Sequence, residues 1–398
     1  MKRNRLIAVI VILALVAAAA IGAVVFLLTS ARQRGNVVTV GFIYDNEEKT
    51  PYSYAFLLAQ EAAQSMYQGK VKVMMISNVM EEQLSVPLRS MIDNNCDIIF
   101  TNCYGDMRTL AKQYPDVQFC QVSSDPYPAS EASPNYHTFK GRIYEGRYLS
   151  GVIAGMKLKQ LIDSGELAPE DAKLGFVAAY PYTEVISGYT AFILGARSVV
   201  PEATLLVRYT YTWSSYTKEK QCAERLLDDG CVILSQHSDT VGPAVACEEY
   251  MQHPAFHVAY NTDMTDVAPT RSLAGTHIEW TPYVTGAIRA VLDHRPIEET
   301  VDGDVHPLND MSAGFDKGWV AITPLNAGIL PPGTQEAVDG LIDDFRDGKI
   351  NVFQGDYIAI DPEDESQWID LHDGYAENAD SSIPTFDYIL QDVVTVVN

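Results

Sequence analysis

The chain has few basic residues, and this shortage already excludes one class of partner. Its 398 residues include 28 Lys and Arg against 52 Asp and Glu, which gives a formal net charge of −24 at pH 7. Because each contact with a phosphate backbone needs a nearby cation, the composition predicts that nucleic acid is not a partner. A hydrophobic content of 47% and an aromatic content of 10% predict a folded chain, and the length allows two domains of ordinary size.

Motifs for cofactors and metals are also missing. The sequence has no GxGxxG or GxxxxGK[ST] loop of the kind that cradles phosphates, and no Cys-x-x-Cys pair of the kind that holds zinc. We therefore predict neither a cofactor nor a metal site. The cysteines leave two interpretations open, a disulfide framework or buried free thiols that pack as small apolar side chains. They are Cys96, Cys103, Cys120, Cys222, Cys231 and Cys247.

A long uncharged segment lies near the N-terminus. Residues 6–28 carry no polar side chain, and at about 1.5 Å per residue they would span roughly 34 Å, enough for a bilayer core of about 30 Å. Lys2, Arg3 and Arg5 precede this segment and favour a cytoplasmic N-terminus. We predict that residues 1–35 form a membrane anchor, so that a single-pass protein carries an extracytoplasmic domain. A cleaved signal, which would leave a secreted protein, is the alternative.

Short apolar segments alternate with helical segments after residue 36. This alternation predicts right-handed βαβ units and parallel sheets flanked by helices, hence an α/β fold. A stretch rich in Pro, Ser and Ala at 125–134 divides the pattern into two series and predicts a crossing between two lobes. Residues 361–380 are rich in acidic side chains and predict a solvated face. The predicted strands are 37–44, 71–76, 97–101, 117–122, 174–178, 204–211, 231–235, 257–260, 272–278 and 319–322, with 393–397 either a last strand or a tail.

The loops that follow these strands share one chemistry. Ligands of open α/β sheets meet the carboxyl ends of the strands, and here those ends carry aromatic rings beside amides and carboxylates, with few cations. Flat rings and hydrogen-bond acceptors suit a neutral, planar ligand that carries hydroxyl groups. The loops are 45–54, 102–107, 123–125, 180–184, 211–216, 236–240 and 261–264.

Several of these segments resemble the basic membrane protein family of substrate-binding proteins, which includes purine nucleoside receptors of ABC transporters. The similar stretches run in order between about Val37 and Gly355, and the most specific lie in the second half. The resemblance implies a type I periplasmic-binding fold, in which two lobes joined by three crossings close over a nucleoside-like ligand. The segments are Gly141–Gly151, Tyr180–Ile186, Ala191–Pro201, Trp213 with Lys218–Lys220, Gln236–Asp239 and Tyr260–Met264.

The resemblance also implies domain boundaries. We expect lobe 1 to comprise residues 36–130 and 262–312, and lobe 2 to comprise residues 131–261 and 313–358. Residues 359–398 would then be an acidic C-terminal extension.

Site residues follow from the same resemblance, position by position. An aromatic and a small polar residue of lobe 1 fall on Tyr52 and Ser53, and the loop that reads the base edge holds Asn102 and Asp106. Trp213 is the first choice for the second stacking face, and Tyr182 and Tyr216 are the next. The carboxylate that holds sugar hydroxyls falls on Asp239 or on the pair Asn261 and Asp263. From the residues alone, Trp213 could instead pack between lobes, and Asp239 and Asp263 could cap helices.

Two departures from the family's pattern are visible. The region that commonly supplies a ribose-side Lys reads Thr276-His277-Ile278-Glu279-Trp280, which resembles a branch with Trp near this position and makes Trp280 a further candidate. The lipid-anchoring Cys is also absent, which implies another route to the membrane, through residues 6–28.

The function that these residues predict is binding rather than catalysis. No nucleophile signature accompanies His237 and Asp239, so we predict a non-enzymatic protein. The leading hypothesis is a membrane-tethered receptor that delivers a nucleoside-like solute to an ABC permease and its ATPase. The alternative is a membrane-anchored sensor that uses the same cleft and signals through a partner protein.

Overall fold

The computed structural model describes residues 37–47, 50–124 and 126–397. The predicted anchor at 6–28 lies outside these residues. Among the helices that are described, none combines the length and the apolar character needed to cross a bilayer.

Strands and helices alternate along most of the chain. The strands are β1 (Val38–Ile43), β2 (Val71–Ile76), β3 (Ile98–Thr101), β4 (Gln118–Val122), β5 (Tyr136–Gly141), β6 (Lys173–Ala178), β7 (Thr204–Tyr209), β8 (Ile233–His237), β9 (Phe256–Tyr260), β10 (Ser272–Ile278), β11 (Asp304–His306), β12 (Asp310–Ala313), β13 (Val320–Ile322), β14 (Ile358–Ile360), β15 (Trp368–Asp370), β16 (Ile389–Leu390) and β17 (Val394–Val396). The helices are α1 (Pro51–Met66), α2 (Ser85–Asp93), α3 (Arg108–Gln113), α4 (Ile143–Asp163), α5 (Thr183–Arg197), α6 (Tyr216–Asp228), α7 (Gly242–Glu249), α8 (Thr281–Asp293) and α9 (Thr334–Arg346).

Two sheets organise two lobes. Over the described residues, the sheet of lobe 1 has the order β11-β12-β5-β4-β3-β1-β2, and that of lobe 2 has the order β13-β10-β9-β8-β6-β7-β17. Neighbouring strands are parallel except at one edge of each sheet, where β11 and β13 run antiparallel to β12 and β10. Central strands such as β3 and β8 are buried along their whole length, as expected for parallel strands that helices cover on both faces. Their polar chemistry is therefore concentrated at the strand ends.

Within residues 37–397, as far as they are described, the chain passes between the lobes at three places, which are 141–143, 278–281 and 313–320. An ion cluster lies at the first and third of them. Arg142 donates from Nε to Glu145 Oε1 at 2.7 Å and from Nη2 to Asp316 Oδ1 at 2.5 Å, and it also pairs with Asp304. Burial raises the pKa of Glu145, although the charge of Arg142 opposes this shift. Two crossings are thus tied to each other by paired charges.

The predicted domain boundaries need three corrections. β5 lies in the sheet of lobe 1, between β4 and β12, although residues 131–261 were assigned to lobe 2. β10 lies in the sheet of lobe 2, between β9 and β13, although residues 262–312 were assigned to lobe 1. The acidic extension is also not a separate element, because β17 pairs in parallel with β7.

A physical reason explains why β5 escaped prediction. Three of its six residues, His137, Thr138 and Lys140, have polar side chains, yet all six are buried. His137 contacts Glu298 with its Nδ1 at 2.5 Å, and Thr138 donates to Asp310 at 2.8 Å. Lys140 pairs with Glu184. Each of these polar side chains has a partner that is distant in sequence. Since the local sequence pattern does not indicate such partners, it did not predict a buried strand here.

The cysteines are free thiols, the second of the two interpretations left open by the sequence. All except Cys222 are buried, and they pack within the cores of the two lobes. Burial raises the pKa of Cys96 to about 11 and that of Cys103 to about 12. Side chains in this state behave as small apolar groups.

Two helices of lobe 2 cross in direct backbone contact. A Cβ atom on Gly195 of α5 would lie 2.0 Å from the carbonyl oxygen of Tyr148 in α4, and one on Gly151 of α4 would lie 1.9 Å from the oxygen of Phe192. These distances are far below van der Waals contact, so the crossing requires glycine at both positions.

We expect Gly195→Ala to lower the free energy of unfolding by about 1–3 kcal/mol or more, because the added methyl group forces the helices apart. Urea unfolding followed by circular dichroism measures the change. Gly340→Ala is the matched control, since Gly340 is exposed in α9 and a Cβ there meets nothing within 4 Å. The control should gain about 0.5–1 kcal/mol from helix propensity. Equal stability of the two variants would contradict the close crossing.

Candidate ligand-binding site

A cavity of about 620 Å³ lies between the two lobes. Its walls are the loops at the carboxyl ends of β1, β3, β6, β7, β8 and β9, where ligands of α/β sheets bind. Five of the residues predicted from the sequence line it, and they come from both lobes: Tyr52, Asn102, Trp213, Asp239 and Asn261.

Aromatic rings surround Trp213. The Trp213 ring lies 5.5 Å from Tyr180 and 5.9 Å from Tyr182, centroid to centroid, and those two tyrosines stack on each other at 5.1 Å. Tyr104 approaches from lobe 1, with its centroid 6.5 Å from that of Trp213. The two lobes therefore meet here through aromatic rings in an edge-to-face arrangement.

A hydrogen-bonded cluster of lobe 1 holds one carboxylate at the cavity. Asp45 Oδ1 accepts from Ser53 Oγ at 2.9 Å and from Asn102 Nδ2 at 3.0 Å. Asn102 Oδ1 accepts in turn from the Asp45 backbone N–H at 3.0 Å, so the two side chains are locked together. Burial raises the pKa of Asp45 above its usual range, against the effect of these hydrogen bonds.

A second carboxylate, Asp239, faces the cavity from lobe 2. Asn261 Nδ2 donates to its Oδ1 at 3.5 Å. Burial raises the pKa of Asp239 well above its usual range, and the nearby charges of Asp45, Glu219 and Glu184 add to this effect. Asp239 therefore offers acceptor oxygens that few protein donors satisfy.

Glu219 fixes the two loops that carry Trp213 and Asp239. It is fully buried in the first turns of α6. Its Oε1 accepts from the Ser215 backbone N–H at 2.9 Å, and its Oε2 accepts from Ser238 Oγ at 2.8 Å and from the Thr240 N–H at 3.0 Å. The Asp239 N–H also donates to the Trp213 carbonyl at 2.9 Å. The Glu219 carboxylate thus fixes the loop that carries Trp213 relative to the loop that carries Asp239.

Glu184 joins the lobes across the cleft. Its carboxylate pairs with Lys140 of β5 and accepts from the Tyr104 hydroxyl at 3.2 Å. Lys140 and Tyr104 belong to lobe 1, whereas Glu184 opens α5 in lobe 2. We call these three side chains the clasp.

Acidic side chains outnumber basic ones in the cavity wall. Five acidic side chains line it, those of Asp45, Glu81, Glu82, Glu184 and Asp239, whereas Lys140 is the one Lys or Arg among the described lining residues. Burial lowers the pKa of His237, the histidine of the wall, well below its usual range, and the charge of Arg147 lowers it further. His237 is thus neutral at physiological pH. An anionic ligand would meet net repulsion here.

Arg147 lies buried behind this wall. Its guanidinium carbon sits 3.5 Å from the centroid of the Tyr260 ring, and its three nitrogens have no hydrogen-bond partner among the described residues. Burial lowers its pKa to about 10. The cation supports the Tyr260 face that lines the cavity through a cation–π contact.

Six predicted site residues lie away from this cavity. Ser53 is fully buried outside the cavity lining, and its hydroxyl donates a hydrogen bond to Asp45 Oδ1. Trp280 is only 2% exposed, because Phe56, Phe139 and Tyr52 pack edge-on against its ring. Trp280 therefore belongs to the core, which corrects its assignment to the site.

The remaining residues are polar or exposed groups that serve other purposes. Asp106 accepts from the Arg108 and Thr109 side chains at the start of α3, and Asp263 accepts from the Thr265 N–H in an exposed turn. Tyr216 opens α6 and is 46% exposed. Tyr182 is 52% exposed and lines a neighbouring cavity. Proximity in sequence to a binding loop does not decide which side chains turn inward.

Several side chains that line the cavity are not among the predicted site residues. Tyr104 and Asp45 lie in loops that the sequence places at strand ends, but only the fold shows that they point into the cavity. Lys140 was missed with its strand, and Glu184 follows Tyr182 by two residues, which alone indicates nothing about a partner in lobe 1. An Asp two residues after a buried strand was the one available signal, for Asp45.

Comparisons with known proteins agree with this architecture. A sequence profile of the Bmp family, described as ABC transporter substrate-binding protein PnrA-like, matches residues 33–306. The chain is 27% identical over 351 residues to the purine-binding protein of Brucella abortus (strain 2308), a match that covers 86% of this chain and 90% of that protein.

Solved structures show the same fold. The solute-binding protein of an ABC transporter system from Conexibacter woesei DSM 14684 superposes with a TM-score of 0.60 at 18% identity, over 79% of this chain and 97% of that one. A solute-binding protein of Aeropyrum pernix K1 gives a TM-score of 0.62 at 16% identity, over 83% and 95% of the two chains.

Because the cavity holds Asp239 in a place that disfavours its charge, we expect Asp239→Asn to raise the free energy of unfolding at pH 7.5. When folding raises the pKa of a carboxyl group, that group stabilises the fold at pH values below its unfolded-state pKa. This contribution is lost as the pH rises through the folded-state pKa. The gain of the variant should therefore shrink as the pH falls toward 4. Urea unfolding at several pH values measures it.

Asp263→Asn is the matched control, since Asp263 is exposed and an amide oxygen can accept the same turn hydrogen bond. It should match the unsubstituted protein at each pH. A loss of stability in Asp239→Asn at pH 7.5 would mean that the cavity favours the charged carboxylate instead.

Proposed function

The chain belongs to the Bmp family of PnrA-like ABC transporter substrate-binding proteins, and we propose that it captures a nucleoside-like solute in the cleft between its lobes. Substrate-binding proteins of this kind supply ABC importers on the extracytoplasmic side and catalyse no reaction. The finer proposal concerns the ligand. It draws on the cavity's chemistry and on the name of the purine-binding relative from Brucella abortus.

The proposal rests on one observation: aromatic rings from both lobes and acidic side chains line the same cavity. Trp213 and Tyr180 of lobe 2 and Tyr104 of lobe 1 offer flat surfaces, and base–aromatic stacking contributes about 1–3 kcal/mol per base. Asp45 and Asp239 offer acceptors for hydroxyl or amino groups, at about 1.5–3 kcal/mol for each hydrogen bond to a charged group. A neutral nucleoside presents a flat base and donor groups together.

The cavity's size and these contributions agree with a small ligand held reversibly. Ligand pockets usually measure about 300–1,000 Å³, and this one measures about 620 Å³. One or two stacking faces with two or three hydrogen bonds contribute about 4–15 kcal/mol, which is the same range as the cost of immobilising a ligand. The upper part of this range agrees with reversible binding at a Kd of about 1 μM, equivalent to about −8 kcal/mol.

We expect adenosine, guanosine or inosine to raise the melting temperature of the protein by mass action, with adenosine 5′-monophosphate at least about tenfold weaker because the acidic wall repels its phosphate. Thermal shift and calorimetry against nucleosides, bases, sugars and the nucleotide measure this. Trp213→Ala should weaken nucleoside binding about tenfold or more, while the matched control Trp368→Ala, at a residue 59% exposed on β15, should leave it unchanged.

Stabilisation by sugars with none by any nucleoside or base would refute the proposed ligand. Equal losses in the two tryptophan variants would remove Trp213 from the site.

We further propose that residues 6–28 hold the protein at the membrane. The apolar length of the segment and the basic residues before it support this. The protein should remain in the membrane fraction after an alkaline carbonate wash, and a variant with Leu13→Arg and Leu15→Arg should be released. Release of the unsubstituted protein as a shortened chain would indicate signal cleavage instead.

A further inference from the structure

A second cavity of about 680 Å³ adjoins the first. Residues of both lobes line it, among them Tyr182 and Thr183 of lobe 2. Its third wall comes from the C-terminal part of the chain, through Ser381, Ile383, Pro384 and Thr385. We call this cavity the strap chamber and residues 377–386 the strap.

The strap is anchored to lobe 1 by a buried serine. Ser382 donates from its backbone N–H to Asp310 Oδ2 and from its hydroxyl to Asp310 Oδ1, both at 2.6 Å. Ser123 at the end of β4 also contacts the Ser382 hydroxyl. Asp310 and Ser382 are almost completely buried. Buried hydrogen bonds therefore fix this part of the strap to lobe 1.

The strap is anchored to lobe 2 by Glu377. Its Oε1 accepts from Ser187 of α5 at 2.7 Å. Its Oε2 accepts from the backbone N–H groups of Thr385 and Phe386, both at 2.9 Å, which folds the strap back on itself. The strap thus spans the two lobes, and the wall that it supplies is a fixed part of the cleft.

The strap chamber and the first cavity share four lining side chains. They are Glu81, Tyr104, Lys140 and Glu184, and the last three form the clasp. The clasp is therefore the partition between the two cavities, and a substituent that enters the strap chamber from the first cavity has to pass between its side chains, next to the Glu184 carboxylate. This carboxylate has acceptor capacity beyond the two donors of the clasp.

The strap chamber differs chemically from the first cavity. Pro181, Tyr182, Ile383 and Pro384 give it apolar surfaces, and Thr183, Ser381 and Thr385 give it hydroxyl groups. Its charged side chains are those of Glu81, Glu184 and Lys140, so it carries no excess of positive charge for an anion. This wall suits a neutral chain that is partly apolar and ends in a hydroxyl group.

We propose that the strap chamber binds a neutral, hydroxylated substituent of the ligand, so that the natural solute is larger than an unmodified nucleoside. The inference rests on the proposed function for the identity of the part held in the first cavity. It names the substrate class more narrowly, as a nucleoside-like compound extended by a hydroxylated arm.

The test compares three probes on the full chain in detergent micelles by calorimetry. They are adenosine, zeatin riboside, whose N6 carries a hydroxylated five-carbon chain, and 5′-O-(5-hydroxypentyl)adenosine. One of the two extended probes should bind at least about tenfold tighter than adenosine, because its chain leaves water for the strap chamber. The two probes distinguish which end of the nucleoside faces the strap.

Two substitutions fill the strap chamber from opposite walls, namely Ser381→Trp from the strap and Thr183→Trp from lobe 2. Each should reduce the ratio of the two dissociation constants, adenosine to extended probe, from about ten to about one. The matched control is Ser85→Trp, at an exposed position that likewise opens a helix and lines neither cavity. The control should keep the ratio of the unsubstituted protein.

Three outcomes overturn the inference. A ratio near one for both extended probes in the unsubstituted protein would show that the strap chamber contributes nothing. A ratio of ten that survives both tryptophan substitutions would place the substituent elsewhere. If neither adenosine nor the extended probes bind while another class of solute does, the nucleoside ligand is refuted and this inference falls with it.

Discussion

Burial of both faces of the two parallel sheets is the constraint on which the rest of the molecule depends. Helices cover the sheets on each side, so strands such as β3 and β8 expose no side chains along their length. Polar chemistry can then emerge only at the strand ends, and the carboxyl ends of the two sheets face each other across the cleft. The concentration of carboxylates, amides and rings in one cavity follows from this geometry.

The electrostatics of the cleft disfavour two of its buried carboxylates. Burial raises the pKa of Asp45 and of Asp239, and the charge of Asp45 adds to the effect on Asp239; such groups are tolerated when function requires them. Glu184 differs from them, since it receives donors from Lys140 and Tyr104. Because those donors lie in the opposite lobe, the contact that pairs the Glu184 charge also joins the lobes.

Elements whose side chains have local partners were predicted from the sequence better than those whose partners are distant in sequence. Runs of apolar residues predict strands, and β1, β2 and β10 lie within a residue of the predicted bounds. The family resemblance, applied to the loops after such strands, pointed to Tyr52, Asn102, Trp213, Asp239 and Asn261, which line the cavity. β5 escaped because its polar residues are satisfied by Glu298, Asp310 and Glu184, all distant in sequence. Trp280 was misassigned for a related reason, since a ring after a strand can turn toward the core as readily as toward the cleft.

The C-terminal residues are the clearest case in which partners distant in sequence decide the structure. Their acidic composition suggests a solvated extension, and many of these side chains are indeed exposed. Yet Glu377 and Ser382 are held by Ser187 of lobe 2 and Asp310 of lobe 1, and β17 extends the sheet of lobe 2. Composition averages over residues, whereas two well-placed hydrogen-bonding side chains suffice to seat a segment. Because the strap is anchored on both lobes, its residues also line a cavity of the cleft. The segment whose composition predicts a separate extension therefore contributes to the shape of the cleft.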